Sequence, residues 1–147
     1  MNKYIYIILI LFSFTISFAQ NSNLTRKTES NKNITQNELI FKEIESAIKE
    51  SDVKKISTYF AQQTYFSFSN GINGYYSSNQ AFYVLEDFFN LYKVTAFKFD
   101  YIKTDKKNGH ATGNYNYDNK GQRSTAKVYI SLKKIGANWI ITQFTIN

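Results

Sequence analysis

Few residues in this sequence are of the types that carry out acid–base or covalent chemistry. The chain of 147 residues has one histidine, His110, and no cysteine. A serine nucleophile needs a base such as histidine beside it, and thiolate chemistry needs cysteine. His110 follows Asn108-Gly109, a dipeptide typical of a hairpin turn, so we expect an exposed imidazole rather than a base in a cavity. One histidine without cysteine also cannot form a histidine-rich or thiolate metal site, and we expect neither a metal nor a cofactor.

Carboxylates are the remaining candidates for general acid–base catalysis. Asp100 is the only acid in the middle of a predicted sheet strand, and it alternates with aromatic residues that we expect to face the core. Its side chain should therefore face solvent. Glu86 and Asp87 lie off the apolar stripe of a predicted helix. Because no pair of carboxylates falls on a predicted inner face, the sequence predicts no catalytic residues and a protein that is not an enzyme.

Aromatic residues are the most unusual feature of the composition. The 12 tyrosines, 13 phenylalanines and one tryptophan make up 18% of the chain. This content excludes a wholly disordered protein, and it exceeds what a small core requires. Beside core packing, the rings can line a pocket for a small apolar ligand or form a protein or homodimer interface on the sheet. The ligand-binding candidates are Phe97, Phe99, Tyr101, Tyr115, Tyr117 and Trp139.

Positive charge is concentrated in the second half of the chain. The formal net charge is +7, and residues 93–147 hold 10 basic and 3 acidic residues. Lys98, Lys127 and Lys133 lie opposite the apolar residues of predicted strands, which makes them the anion-binding candidates. Such a surface suits lipid headgroups, polyanionic glycans or an acidic partner, and its alternative role is to keep a β-rich domain soluble. We expect no nucleic acid partner, because residues 1–19 have the pattern of an export signal.

The first 19 residues have the pattern of a signal peptide. Lys3 precedes an apolar stretch, and Ser17-Phe18-Ala19 places small residues where a signal peptidase reads them, before Gln20. A membrane anchor is the alternative, but the apolar run is shorter than the roughly 20 residues that a span needs. Cleavage near Ala19-Gln20 makes the protein secreted or periplasmic, and without cysteine we expect no lipid anchor. Residues 20–34 are polar and lack a hydrophobic period, which predicts a flexible leader.

Three helices are predicted after this leader, each with a capping signal. Thr35 and Glu38 have the spacing of a capping box, and Asp52 can cap a short second helix. Ser77 and Gln80 form another capping box before the third helix. The residues expected to point inward are Ile40, Ile44, Ala47 and Ile48, then Val53, Ile56 and Phe60, and finally Ala81, Val84, Leu85, Phe88 and Tyr92.

Alternation of polar and apolar residues predicts the strands. Residues 64–69 form one strand, with turn dipeptides at 70–71 and 73–74. Four strands joined by short turns follow residue 93, and in the first of them Phe97, Phe99 and Tyr101 share a face opposite Lys98, Asp100 and Ile102. Helices followed by an antiparallel meander predict an α+β domain over residues 35–147. Its N-terminal helices should pack on an antiparallel sheet of four to five strands.

The order of these elements resembles a known superfamily. The segment AIKESDVKKISTYF, a strand, YYSSNQAFYVLEDFF and a meander ending in NWIITQFTI are similar to the nuclear-transport-factor-2-like superfamily. Ala81, the pair Phe88-Phe89 and the segment VYISLKKIGANWIITQFTI resemble more closely the secreted bacterial proteins of domain of unknown function 4783. The resemblance covers roughly residues 36–147 and implies the curved sheet and cone-shaped α+β fold that the superfamily shares with ketosteroid isomerases. Enzymes of the superfamily use an Asp or Glu inside the cone, whereas the closer family implies no established activity.

These observations predict an exported, non-enzymatic binding domain. Its ligand is expected to be a small apolar molecule in the cone or a protein partner on the sheet. One alternative is an isomerase- or dehydratase-type enzyme that uses a carboxylate in the cone. The other is an envelope-associated protein whose basic sheet binds anions.

Overall fold

A computed structural model describes residues 36–147, in which three helices and six strands form the domain. In chain order these elements are α1 (Gln36–Lys49), α2 (Val53–Ser57), β1 (Phe60–Phe68), β2 (Asn73–Ser77), α3 (Ser78–Leu91), β3 (Lys93–Thr104), β4 (Asn108–Asn119), β5 (Gln122–Ile135) and β6 (Asn138–Ile146). The predicted signal peptide, the leader and Thr35 of the first capping box lie outside the described residues. Within residues 36–147, no helix is long and apolar enough to cross a membrane.

The first two helices are positioned by an apolar face and a capping side chain. Ile44 and Ile48 of α1 are fully buried, as predicted, and Phe41 is buried with them. Asp52 caps α2 as predicted, because its carboxylate accepts a hydrogen bond from the backbone N–H of Lys55 at 2.9 Å. A short turn between the two helices therefore lets both bury their apolar residues in one core.

The capping box predicted for the third helix is present at the start of α3. The backbone N–H of Ser77 donates to Oε1 of Gln80 at 3.0 Å, and the N–H of Gln80 donates to the Ser77 hydroxyl at 3.4 Å. Leu85, Phe88 and Phe89 on the apolar side of α3 are buried. The cap thus fixes where the chain leaves β2 and turns back over the sheet.

The sheet has six strands in the order β2-β1-β6-β5-β4-β3. The predicted meander of β3, β4, β5 and β6 is antiparallel throughout, whereas β1 pairs with β6 in parallel. The sheet is therefore mixed and one strand wider than the upper end of the predicted range. The added strand is β2, which pairs with β1 in antiparallel register.

The turn predicted at residues 73–74 is wrong, because Asn73 and Gly74 form the start of β2. The chain has already reversed at residues 69–72, where the N–H of Gly71 donates to the carbonyl of Phe68 at 3.1 Å. Gly71 has a φ of 92°, a left-handed conformation that glycine adopts without strain. One turn is enough to form the hairpin, so the second dipeptide is free to pair with β1.

A β-bulge in β3 changes which side chains face the core. Phe99 pairs with Gly113, but Tyr101 pairs with Thr112, so that Asp100 is an extra residue in this strand. Phe97 and Phe99 face inward as predicted. Beyond the bulge the alternation is reversed: Tyr101 is 50% exposed and Ile102 packs against the core. The prediction that Tyr101 shares a face with Phe97 is therefore wrong.

The helices cover one side of the sheet, which we call the inner face, and the core lies between them. Its rings are in close contact, including Phe66 stacked on Phe68 at 5.0 Å between centroids and Phe68 tilted against Phe88 at 4.8 Å. Thr64 is the buried polar residue of this core, and its hydroxyl donates to the carbonyl of Ile141 at 3.0 Å. Most of the aromatic residues at the inner face therefore serve the packing of the domain.

Candidate binding face

The sheet surface turned away from the helices, which we call the outer face, carries a row of three rings. Tyr101 of β3 lies 5.8 Å from His110 of β4, and His110 lies 6.3 Å from Tyr129 of β5, measured between ring centroids. Tyr101 reaches this row because of the bulge, and Tyr129 because it alternates with the buried Val128 and Ile130. We call these three side chains the ring row.

His110 lies in this row and not on a turn. The turn that joins β3 to β4 is formed earlier, where Asp105 accepts hydrogen bonds from the backbone N–H groups of Lys107 and Asn108, both at 2.7 Å. These bonds lower the pKa of the Asp105 carboxyl. Asn108 and Gly109 are consequently the first residues of β4, and the half-buried His110 alternates outward in the strand. The prediction of an exposed turn histidine is wrong in this respect.

A second aromatic group lies at the other end of the outer face. Tyr65 of β1 and Tyr75 of β2 are register partners with ring centroids 5.2 Å apart. The Tyr65 hydroxyl donates to Oδ1 of Asn73 at 2.6 Å, which holds the ring in place. The tyrosine cleft, an open depression of about 480 Å³, is lined by Gln63, Tyr65, Tyr75, Thr142 and Gln143.

Uncharged hydrogen-bonding side chains connect the tyrosine cleft to the ring row. Gln143 of β6 pairs with Tyr65 on one side and with Ser131 on the other, and Ser131 pairs with His110. In the neighbouring row, Thr145 pairs with Tyr129. The outer face therefore presents rings, hydroxyls and amides across all six strands.

The three lysines predicted as anion-binding candidates all lie on the outer face, in β3 and β5. Lys127 forms an ion pair with Asp100 at 3.4 Å, and Asp100 also accepts a hydrogen bond from the Thr112 hydroxyl at 2.9 Å. The bond from Thr112, followed by the nearby Lys127, lowers the pKa of Asp100. Asp100 thus faces outward as predicted. The charged residues that alternate outward on β3, β4 and β5 are Lys93, Lys98, Asp100, Lys103, Asp118, Arg123, Lys127 and Lys133.

Five of the six aromatic ligand-binding candidates face the core instead. Phe97, Phe99 and Tyr115 are buried, with the Phe97 and Phe99 centroids 4.9 Å apart. The Tyr115 hydroxyl donates to the carbonyl of Tyr92 at 2.6 Å, and burial raises the pKa of Tyr115 far above its usual value. Tyr117 and Trp139 pack against this core half-buried, while Tyr101 alone belongs to the ring row. These five candidates therefore contribute to the packing of the core.

Carboxylates are placed outside the core throughout the described part of the chain, where Thr64 is the one buried polar or charged residue. No three side chains of His, Asp or Glu within residues 36–147 meet as a metal site would require.

Glu43 on α1 accepts a hydrogen bond from the hydroxyl of Tyr59. Burial, together with this bond to Glu43, raises the pKa of Tyr59 to about 12. The Tyr59 phenol is therefore protonated at neutral pH and donates this hydrogen bond.

Comparison with known proteins identifies the family. A family model described as "Domain of unknown function (DUF4783)" matches residues 41–147. The chain belongs to this family. A DUF4783 protein from Bacteroides uniformis is 18% identical, with a TM-score of 0.66, over 72% of this chain and 94% of that one. Another from Bacteroides ovatus is 20% identical, with a TM-score of 0.64, over 71% and 90%. No match is found among curated proteins.

Proteins outside the DUF4783 family have a fold similar to that of this domain. A hypothetical protein of ketosteroid isomerase-like fold from Catenulispora acidiphila, solved with trimethylamine, is 13% identical with a TM-score of 0.58, over 74% of this chain and 83% of that one. The predicted nuclear-transport-factor-2-like fold is thereby confirmed. At this identity the likeness concerns the fold, so the chemistry of the DUF4783 domain has to be argued from its own side chains.

Sequence reasoning missed most of the outer face as a site. Tyr65, Tyr75, Tyr129 and His110 were not among the candidates, although Tyr129 alternates with apolar residues in the sequence and that pattern already placed it outward. The pair of Tyr65 and Tyr75 depends on β2, which carried no local signal of its own. The outer face offers rings, hydrogen-bonding groups and ammonium groups, and these are groups that can contact a partner.

Proposed function

We propose that this DUF4783 domain is an exported, non-enzymatic binding domain that contacts an anionic partner through the outer face of its sheet. The observation that carries the proposal is the ring row, in which Tyr101, His110 and Tyr129 lie side by side on a surface that no described helix covers. Tyrosines bring a large apolar area and a polar tip, and they are enriched where proteins bind partners. A sheet face that met only water would alternate toward small polar and charged residues instead.

Two competing functions receive less support. A small apolar ligand in the cone would need space among Phe97, Phe99 and Tyr115, and these rings are in contact with one another and with the helices. An isomerase or dehydratase would need a carboxylate in the cone, and the carboxylates of the described residues lie outside the core. Both functions need a site in the interior of the cone, and that interior is filled by packed side chains.

The charge distribution favours an anionic partner over a second copy of the chain. In a symmetric dimer the same surface meets itself, so two faces with the same net positive charge would be brought together. Lysines and Arg123 on β3 and β5 outnumber the outward carboxylates, Asp100 and Asp118. Two such faces repel each other, whereas a negatively charged partner is attracted to one.

Hydroxyl-radical footprinting with detection by mass spectrometry tests the proposal. The purified protein is oxidised alone and with the envelope fraction of its host, and modification of each tyrosine is compared. We expect protection of Tyr75 and Tyr101, which are 71% and 50% exposed, and unchanged oxidation of Tyr83, which is 64% exposed on α3. Protection of Tyr83 instead, or of none of the three, would refute binding through the outer face.

A further inference from the structure

We infer that the partner of the outer face is an acidic polysaccharide that lies across the strands. This inference rests on the proposed function and names the class of partner for the same face. The tyrosine cleft and the ring row lie at opposite ends of the sheet, on β2 and β1 and on β3 to β5. Six strands spaced about 4.8 Å apart make this surface about 24 Å wide. It therefore fits an extended polymer better than a single small molecule.

The rings at the two ends suit the flat faces of sugars. The face of an aromatic ring carries partial negative charge. It attracts the C–H groups of a pyranose ring, which the neighbouring oxygens polarise. Tyr65 and Tyr75 offer such faces at the tyrosine cleft, and Tyr101 and Tyr129 offer them in the ring row. A sugar can pack on each group while its hydroxyls remain free to form hydrogen bonds.

The side chains between the rings match those hydroxyls. Gln143 lines the tyrosine cleft, Ser131 and Thr145 lie between the cleft and the ring row, and Thr112 lies between Tyr101 and Tyr129 in the register. Hydroxyl and amide groups can both donate and accept hydrogen bonds, as sugar hydroxyls do. None of these four side chains carries a charge, so a neutral, hydroxyl-rich segment can lie over them without an unpaired ion.

The cations specify that the polysaccharide is acidic. Strands β1, β2 and β6 contain no charged residue, whereas Lys103 pairs in register with His110 and Lys127 lies two residues before Tyr129. Lys133 follows Ser131 on the same face. A lysine ammonium is a compact charge on a flexible stem and does not require the bidentate geometry typical of arginine. It therefore suits carboxylates or sulfates that recur along a flexible chain.

An acidic protein or an anionic membrane fits this surface less well. The centre of a protein interface is rich in apolar groups and depleted of charge, and membrane-binding surfaces bury Leu, Phe or Trp in lipid. On the described strands, the large aliphatic side chains that alternate outward are Ile135 and Ile140, at the tip of the β5–β6 hairpin. The face between the two aromatic groups is instead polar, as a polysaccharide requires.

Calorimetry of the purified protein with defined polymers tests the class of partner. The probes are polygalacturonate, alginate and hyaluronate; the matched neutral control is fully methyl-esterified polygalacturonate. We expect at least one uronic-acid polymer to bind about tenfold more tightly than the neutral ester, and high salt to remove most of that difference. Binding of the ester with equal affinity, or of none of the acidic polymers, would overturn the inference.

Paired variants locate the interaction on the outer face. Replacing Tyr101 and Tyr129 together by alanine should weaken binding of the acidic polymer about tenfold or more. Replacing Lys103 and Lys133 by glutamine should weaken it similarly at low salt, and this exposed pair leaves the packing intact. The control variant Tyr83→Ala changes an exposed ring on α3 and should bind like the wild type. Loss of binding by the control, or unchanged binding by the lysine pair, contradicts the assignment.

Two further probes distinguish an error in the class of partner from an error in the face that binds the partner. Poly-L-glutamate represents an acidic protein, and phosphatidylglycerol vesicles represent an anionic membrane. If either binds more tightly than every uronic-acid polymer and protects Tyr101 from oxidation, the polysaccharide is refuted while the proposed function stands. If neither these probes nor the envelope fraction protects the outer tyrosines, the proposed function is refuted as well.

Discussion

Gly113 lies where β4 passes the bulge of β3, and the backbone of β3 fills the space beside its Cα. A Cβ atom at this position would lie 2.4 Å from the carbonyl oxygen of Lys98 and 3.1 Å from Cα of Phe99. Backbone atoms of a paired strand cannot rotate away as a side chain can. The close approach of the two strands therefore requires glycine here, and it contributes to the geometry that turns Tyr101 outward.

We expect Gly113→Ala to lower the free energy of unfolding by about 2–3 kcal/mol, because the added methyl group forces β3 away from β4. Gly109→Ala is the matched control on the same face of β4. Its nearest contact is the Phe41 ring at 3.0 Å, a side chain that can shift, so the loss should be about 1 kcal/mol. Urea denaturation measures both values. Equal losses for the two variants would argue against a special constraint at Gly113.

At the scale of elements, α1 contacts the edge strand β3 next to its bulge. The carboxylate of Glu45 on α1 accepts a hydrogen bond from the backbone N–H of Phe99 at 2.9 Å and forms an ion pair with Lys49 at 2.6 Å. A helix thus satisfies a backbone donor at the point where the alternation of β3 is reversed. This contact joins residues 54 positions apart in the sequence and lies next to the residue at which the bulge begins.

Glu45→Ala removes a charged acceptor from the Phe99 N–H, and we expect a loss of about 1.5–3 kcal/mol in the free energy of unfolding. Glu45→Gln keeps an oxygen acceptor and should lose less. Lys49→Ala isolates the exposed ion pair, which is worth about 0.5 kcal/mol. Thermal and urea unfolding measure the three variants. A loss for Lys49→Ala as large as that for Glu45→Ala would show that the ion pair, and not the bond to the bulge, is the stabilising contact.

The elements that the sequence predicts correctly are those whose cause is local. The caps at Asp52 and Ser77 act over three residues, and the alternation of β5 continues unbroken from Ala126 to Leu132. The parts that differ have distant causes. The bulge at Tyr101 involves a helix earlier in the chain, and β2 forms because β1 offers it a partner. Only part of the candidate site could be predicted, for the same reason. The outward lysines follow the local alternation of the strands, whereas the two aromatic groups are assembled by strand pairing.

At the scale of the whole molecule, two phenols connect its layers. Tyr115 of β4 donates to the carbonyl of Tyr92, the capping residue directly after α3, and so connects that helix to the sheet. Tyr59, between α2 and β1, donates to Glu43 of α1. Both bonds need the protonated phenol. Burial raises the pKa of both tyrosines, and for Tyr59 the value reaches about 12.

The stability of the domain should therefore fall at alkaline pH. In the unfolded chain both phenols ionise near pH 10, whereas in the folded domain they retain their protons to higher pH. Their contribution is complete below about pH 10 and is lost as the pH rises toward the folded pKa, about 12 for Tyr59.

The double variant Tyr59→Phe with Tyr115→Phe should lose less of its free energy of unfolding between pH 10 and 12 than the wild type, each relative to its own value at neutral pH. Tyr83→Phe, which alters an exposed ring on α3, should follow the wild type. Urea denaturation across this pH range measures the slopes, and equal slopes for the double variant and the wild type would show that these phenols do not govern alkaline unfolding.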